Sequence, residues 1–274
     1  MSDERPIGLF DSGVGGLTVL HECLVTMPNE DFVYLGDHAR LPYGPRPLVE
    51  IRRFAHEIGL YLEGEGVKMI VVACNAATSA ALPDLQQVLS VPVLGVITPE
   101  AYAAVRATRN RRIGLLATQA TVTARRYETL IHTLDAGVQF SAVACPKLVP
   151  LIEGGDTYSE ALVEAVREYA APVRDAGCDT VILGCTHYPL LRPVFQRAFG
   201  RDVTLVFSAD ETARELAATR ERKGIENAGS REGDYRFLTT GDPESFRVLG
   251  ERFLQLPLGT VEQVTVSVLE RSVA

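Results

Sequence analysis

The sequence predicts an α/β protein of two similar domains with mainly parallel sheets, related by a pseudo-twofold repeat, with an active site in the cleft between them. Three observations carry this. Short β-branched runs alternate with helix-period segments along the chain, the pattern of parallel sheets with crossover helices. The second half repeats the first: Ile7-Gly8-Leu9 returns as Ile113-Gly114-Leu115, Phe32 to Pro42 as Phe140 to Pro150, Cys74 as Cys185, and Val93–Val96 as Thr204–Phe207. Finally, Met69–Cys74 and Thr180–Cys185 each read as a buried strand ending on cysteine at a strand-to-helix corner. Open α/β sheets place their ligands at such corners.

The elements follow in order. Pro6–Phe10 is a strand and Asp11-Ser12-Gly13-Val14-Gly15-Gly16 a glycine-rich corner, after which Leu17, Leu20, Leu24 and Met27 repeat at helical spacing. Phe32–Leu35 is a strand, Gly36 to Pro47 a loop containing Pro42-Tyr43-Gly44, and Leu48, Ile51, Ala55, Ile58 and Leu62 a helix stripe. The Cys74 strand, a helix near Ser79–Leu89 and the strand Val93–Val96 complete the first copy. The second copy runs through a helix near Thr98–Ala107, the strand Ile113–Leu116, the helix Val122–Leu134, the strand Phe140–Ala144 and a proline-marked loop over Cys145–Glu153. A long helix at about Tyr158–Arg174, the Cys185 strand, a helix at Leu190–Phe199 and the strand Val203–Phe207 close it. The tail has no counterpart: a helix near Glu211–Arg222, the linker Lys223–Gly233, the strand Tyr235–Leu238, a helix at Pro243–Phe253, and an edge strand alternating Val264, Val266 and Val268. This tail is expected to return to the first domain, so the domains are residues 1–97 with 209–274, and 98–208.

At 274 residues the chain can bury a sizeable core. A net charge of −8 argues against nucleic acid and anionic membrane as main partners. No apolar run approaches a membrane span, and Met1-Ser2-Asp3-Glu4 lacks a signal-peptide layout, so a cytoplasmic location is expected. Cys23, Cys74, Cys145, Cys178 and Cys185 are then free thiols rather than disulfides. The only lysines are Lys68, Lys147 and Lys223.

Two thiols facing one cleft suit removal of a proton from one face of a carbon acid and return of a proton to the other. Thiols have an ordinary pKa of about 8.5, near working pH. A lowering of roughly one or two units is expected beside a helix N-terminus or an imidazolium. Against this stands the buried, inert cysteine, the reading kept for Cys23, Cys178 and Cys145. Asp11-Ser12 offers a carboxylate for a substrate ammonium, or an N-cap. The adjoining glycines miss the dinucleotide fingerprint at Thr18, and their N–H groups are left to meet an anion. His187 assists Cys185 or caps the corner, and the spacing of Cys185-Thr186-His187 does not indicate a metal site. Asn75, Thr118, Thr121 and Thr186 are caps or ligands. Glu153, taken alone, reads as a solvated carboxylate.

Together these stretches resemble the cofactor-independent aspartate/glutamate racemase family over nearly the full chain. The carriers are Gly8–Leu17, Pro42-Tyr43-Gly44, Ala73-Cys74-Asn75, Val149-Pro150-Leu151, Gly184–Pro189 and Thr240-Gly241-Asp242. The resemblance implies interconversion of L- and D-glutamate without a cofactor or metal, with D-glutamate passing to peptidoglycan synthesis, and a homodimer. It implies that Cys74 handles the proton of D-glutamate and Cys185 that of L-glutamate, with Asp11, His187 and Glu153 as auxiliary catalytic residues. Asp11, Ser12, Pro42, Tyr43, Gly44, Asn75, Ala76, Thr118, Thr121, Thr186 and His187 fall on substrate-binding positions. One departure stands out: Ala76 replaces the family's usual Thr or Ser, losing a hydroxyl contact worth on the order of 1 kcal/mol, with Thr78 the candidate substitute. The rivals are a pyridoxal-phosphate racemase, for which no lysine sits at a strand-end corner, a family member acting on aspartate or another amino acid, a cysteine-nucleophile hydrolase, and a non-catalytic amino-acid sensor.

Overall fold

A computed structural model describes residues 3–266. The first half runs β1 (Ile7–Asp11), α1 (Leu17–Thr26), β2 (Phe32–Gly36), α2 (Leu48–Gly64), β3 (Met69–Val72), α3 (Asn75–Val88) and β4 (Val93–Gly95). The connecting helix α4 (Ile97–Ala107) leads into β5 (Arg112–Ala117), α5 (Gln119–Thr123), α6 (Arg126–Leu134), β6 (Gln139–Ala144), α7 (Leu148–Glu153) and α8 (Glu160–Asp175). Then come β7 (Thr180–Gly184), a 3-10 turn over Tyr188–Leu191, α9 (Arg192–Phe199) and β8 (Thr204–Phe207). The tail adds α10 (Ser208–Lys223), β9 (Tyr235–Thr239), α11 (Pro243–Leu254) and β10 (Val261–Gln263).

Two sheets result, ordered β10-β9-β2-β1-β3-β4 and β6-β5-β7-β8. Every strand pairing among the described residues is parallel. The repeat is visible in register: Ile7 pairs with Phe32 and Met69, and Ile113 with Phe140 and Thr180. Each copy therefore has its central strand between the second and third, and its topological switch point lies between β1 and β3, or between β5 and β7. Helices cover both faces, so β1, β3 and β7 are buried at every residue, which is why their sequences run apolar without alternation. The larger core cluster runs continuously from β1 and α1 through α4 to β5 and β7, and a second lies where α2 and α3 cover the first sheet. With β9 and β10 on the first sheet, residues 1–97 with 209–274, and 98–208, remain the proposed division.

Several elements depart from the expectations. The helix after Cys74 begins at Asn75 rather than near Ser79, because Cys74 itself is the N-cap. Cys145–Glu153 is not all loop: residues 148–153 form α7, with Pro150 in its first turn, where no intrahelical N–H is required. The helix drawn over Val122–Leu134 is two, α5 and α6, broken at Arg125, whose φ of 53° is left-handed. α10 starts at Ser208, three residues early. The edge strand pairs at Val261–Gln263 rather than through Val264, Val266 and Val268, and Val268 lies outside the described residues. No helix among the described residues is long and apolar enough to cross a membrane.

Candidate active site

The carboxyl ends of β1, β3, β5 and β7 converge on one cavity of about 140 Å³. Cys74 enters it from the end of β3, fixed in extended backbone (φ −75°, ψ 120°), with Ala77 N–H donating to its sulfur at 3.5 Å. Its thiol donates to Ser12 Oγ at 4.0 Å. Asp11, fully buried at the end of β1, accepts from Gly16 N–H through Oδ2 at 2.9 Å, while Oδ1 has no partner. Burial pushes the Cys74 thiol well above its ordinary range, and the negative charge of Asp11 adds to this, against the N–H groups of Ala77 and Ser12. The expected lowering at a helix start is thus reversed: the cap bond is outweighed by burial and by the carboxylate beside it.

Cys185 follows β7 directly. Its sulfur lies 3.8 Å from His187 Nδ1, and His187 Nε2 lies 3.0 Å from Glu153 Oε1. Burial pulls the imidazole down, but the sulfur on one side and the carboxylate on the other outweigh it and raise His187 to about 10. Glu153, the last residue of α7, is therefore not a merely solvated carboxylate. Phe253 of α11 meets the His187 ring edge-on at 5.0 Å between centroids, which ties the tail to this corner. The two corners are electrostatically unlike, with a carboxylate beside Cys74 and a cation beside Cys185.

This cluster has a pH signature. The folded-state pKa of His187, about 10, exceeds the unfolded value of about 6.5, so its stabilisation is complete below about pH 6.5 and lost as pH rises through 10. The difference in melting temperature between wild type and His187→Gln is expected to shrink steadily from pH 6.5 to 10, measured by thermal unfolding at matched ionic strength. A constant difference would show that the imidazole is not held as a cation.

The cavity wall contains Asp11, Ser12, Pro42, Tyr43, Gly44, Cys74, Asn75, Ala76, Thr118, Glu153, Cys185, Thr186 and His187. Of the sequence-derived site residues only Thr121 stands back from it; its hydroxyl meets Thr118 Oγ1 at 3.1 Å. Tyr43 offers the cavity its ring and backbone, since its hydroxyl donates to Asp37. Asp37 also accepts from Arg40 Nε at 2.7 Å and from Thr240 Oγ1 at 2.8 Å, which explains Thr240 in the Thr240-Gly241-Asp242 stretch: it steadies the Tyr43 loop. The loop reaches across to the second half, where Ala120 N–H donates to Gly44 O at 2.9 Å.

Thr78 does not replace the hydroxyl missing at Ala76: its Oγ1 donates to Val72 O at 2.9 Å, outside the cavity wall. Nor do the corner glycines form an anion cradle in the cavity. Gly16 N–H is taken by Asp11, and a Cβ on Gly15 would collide with Thr186 Oγ1 and the His187 ring. Gly15 is there for close approach of the two corners. Gln119, Cys145, Pro146 and Val149 also line the cavity without having been singled out for it. Cys145, read as packing, is a third thiol in the wall, pushed up to about 12 by burial. Only its place in the repeat, beside Pro146, hinted at this.

The sequence profile of the Asp/Glu/Hydantoin racemase family matches residues 19–216. The glutamate racemase of Carnobacterium sp. (strain St2) is 42% identical over 265 residues, covering 96% of this chain and 99% of that one. The chain belongs to the Asp/Glu/Hydantoin racemase family. Among solved structures, a glutamate racemase isoform from Bacillus anthracis is 40% identical with a TM-score of 0.92, over 97% of this chain and 99% of that one. A glutamate racemase from Francisella tularensis in complex with D-glutamate is 32% identical with a TM-score of 0.91, over 97% and 99%. Family membership makes this chain an isomerase of the racemase class.

Proposed function

We propose that this racemase interconverts L- and D-glutamate without a cofactor, using Cys74 and Cys185 as two acid/base groups on opposite faces of Cα. The observation that carries the reading is that both thiols, each directly after one of the equivalent strands β3 and β7, line one cavity. Relatives named glutamate racemase, one of them solved with D-glutamate, support the substrate.

The steps follow from the charges. The Asp11 carboxylate, among the residues that line the cavity, is the counter-charge for the substrate ammonium. The α-carboxylate falls to short donors at the strand ends, among them the Ala76 N–H and Thr186 hydroxyl. For L-glutamate, Cys185 as thiolate, countered by the His187 cation, takes the Cα proton. The electron pair left on Cα delocalises into the carboxylate. Cys74, held in its thiol form, donates its proton to the other face, leaving a thiolate at Cys74 and a thiol at Cys185. D-Glutamate runs the same steps in reverse. Before the next turnover from L-glutamate, Cys74 regains a proton from solvent and Cys185 loses one to it. The further expectations, that D-glutamate serves peptidoglycan synthesis and that two copies form a homodimer, rest on the family resemblance.

The test is circular dichroism of L-glutamate with purified protein and no added cofactor. The signal is expected to decay to zero, as an equilibrium between enantiomers requires, and to decay much more slowly with L-aspartate. A stable L-glutamate signal would contradict the reading, and a faster decay with aspartate would move the substrate within the family.

A further inference from the structure

Behind the cavity, three side chains from three helices share a buried hydrogen-bond cluster that the chemistry above does not use. Glu100 of α4 has no exposed surface. Its Oε2 accepts from Asn75 Nδ2 at 3.0 Å and from the Tyr127 hydroxyl. Asn75 Nδ2 also donates to the Tyr127 hydroxyl oxygen at 2.8 Å. Asn75 directly follows Cys74 and opens α3. The Tyr127 hydroxyl, on α6, lies under Gly184, the residue directly before Cys185: a Cβ built there would sit 3.3 Å from it. One carboxyl on the connecting helix is thus a single hydrogen bond from the Cys74 corner and a single hydrogen bond from a group packed under the Cys185 corner.

Packing does not require this arrangement. A buried carboxyl is costly to desolvate, and a leucine fills a similar volume without that cost. Glu100 Oε1 and Asn75 Oδ1 both lack partners, so the cluster is not arranged for full satisfaction of its polar atoms. What the cluster does is fix the two strand-to-helix corners against each other. Two-base inversion requires this, because both sulfurs must meet one carbon from opposite sides, and small misplacements of reacting groups are costly.

We propose that Glu100 is a positioning residue for racemisation: by holding Asn75 and Tyr127 together it sets the spacing of the Cys74 and Cys185 corners. The proposal rests on the two-thiol reading. Burial pushes the Glu100 carboxyl well above its usual range, although the Tyr127 and Asn75 hydrogen bonds pull it down. A glutamine at this position therefore keeps both the shape and the acceptor.

The test compares wild type, Glu100→Gln, Glu100→Leu and Tyr127→Phe for racemisation in both directions and for thermal unfolding. Glu100→Gln is expected to keep kcat within threefold. Glu100→Leu is expected to lower kcat at least tenfold in both directions with KM changed less than threefold. Where Glu100→Leu does not fold, Tyr127→Phe carries the test, with an expected loss of at least threefold in kcat. A lowered melting temperature with unchanged kcat and KM in Glu100→Leu, or in Tyr127→Phe, would reduce the cluster to packing and overturn the proposal. So would a glutamine variant as impaired as the leucine one. A readout without turnover separates this from failure of the functional reading: alkylation of Cys74 and Cys185 by iodoacetamide, followed by peptide mass mapping. The ratio of the two rates is expected to change at least threefold in Glu100→Leu even if the wild type proves inactive on glutamate, and an unchanged ratio would overturn the proposal.

Discussion

Replacing either Cys74 or Cys185 with serine is expected to lower racemisation of glutamate by roughly 10³-fold or more, while the variant still folds and still binds glutamate. Serine is nearly isosteric, but its hydroxyl does not ionise near neutral pH, so one face of Cα loses its proton carrier. Loss of a positioned acid/base group typically costs 10²–10⁴-fold. The defect also has a direction. With Cys185 intact, Cys74→Ser retains the means to remove and return a proton on one face only. It is expected to exchange the Cα hydrogen of L-glutamate with solvent without inverting the centre. Circular dichroism, proton NMR and isothermal titration read the three properties separately. Wild-type racemisation in either variant would remove that cysteine from the mechanism.

The second large effect is on stability. Lys68, with no exposed side-chain surface, donates to Glu30 Oε2 at 2.6 Å and to Asp3 O at 2.7 Å. Glu30, equally buried, also accepts from Arg220 Nη1 and from Asn227 N–H, at 2.7 Å and 2.9 Å. The cluster joins the start of β3, the turn before β2 and the end of α10, and so ties the tail to the first sheet. Lys68→Met removes one partner and leaves a buried carboxylate under-compensated, which typically costs about 3–5 kcal/mol. At roughly 2–4 °C per kcal/mol for a chain near this size, the melting temperature is expected to fall by about 6–20 °C. Activity measured well below the transition is expected to stay near wild type, because none of these residues lines the cavity. A fall of less than about 2 °C would mean that the pair contributes little beyond its own desolvation cost.

These two effects differ in how far the sequence reveals them. The cysteine corners are legible because a continuous apolar run followed by a thiol is a strong local signal, and the repeat presents it twice in equivalent strands. The order β2-β1-β3-β4 reappearing as β6-β5-β7-β8 is the structural form of that repeat. The start of α3 is not legible: Ala76, Ala77, Ser79, Ala80 and Ala81 are all small and all buried, so no amphipathic period marks its first turns. Prolines at 146 and 150 read as breakers and hide α7, although a first-turn proline is compatible with a helix. Glu153 therefore reads as a surface carboxylate until α7 and the β7 corner bring it to His187 across 34 residues of sequence. Asp37, Glu100 and Lys68 are single charged residues without a motif, and only burial and long-range partners mark them. The reversed shift of Cys74 depends on the depth of the cavity and on the distance to Asp11, neither of which is written in local sequence.

The claim beneath all of this is that one carbon is deprotonated by one sulfur and reprotonated by another. It is tested most directly by racemising protiated L-glutamate in deuterium oxide and analysing both enantiomers by mass during the first few per cent of reaction. Two separate proton carriers require every newly formed D-glutamate to carry deuterium at Cα while the remaining L-glutamate keeps its hydrogen. D-Glutamate that retains the substrate hydrogen would mean that a single group serves both faces, and would contradict the account.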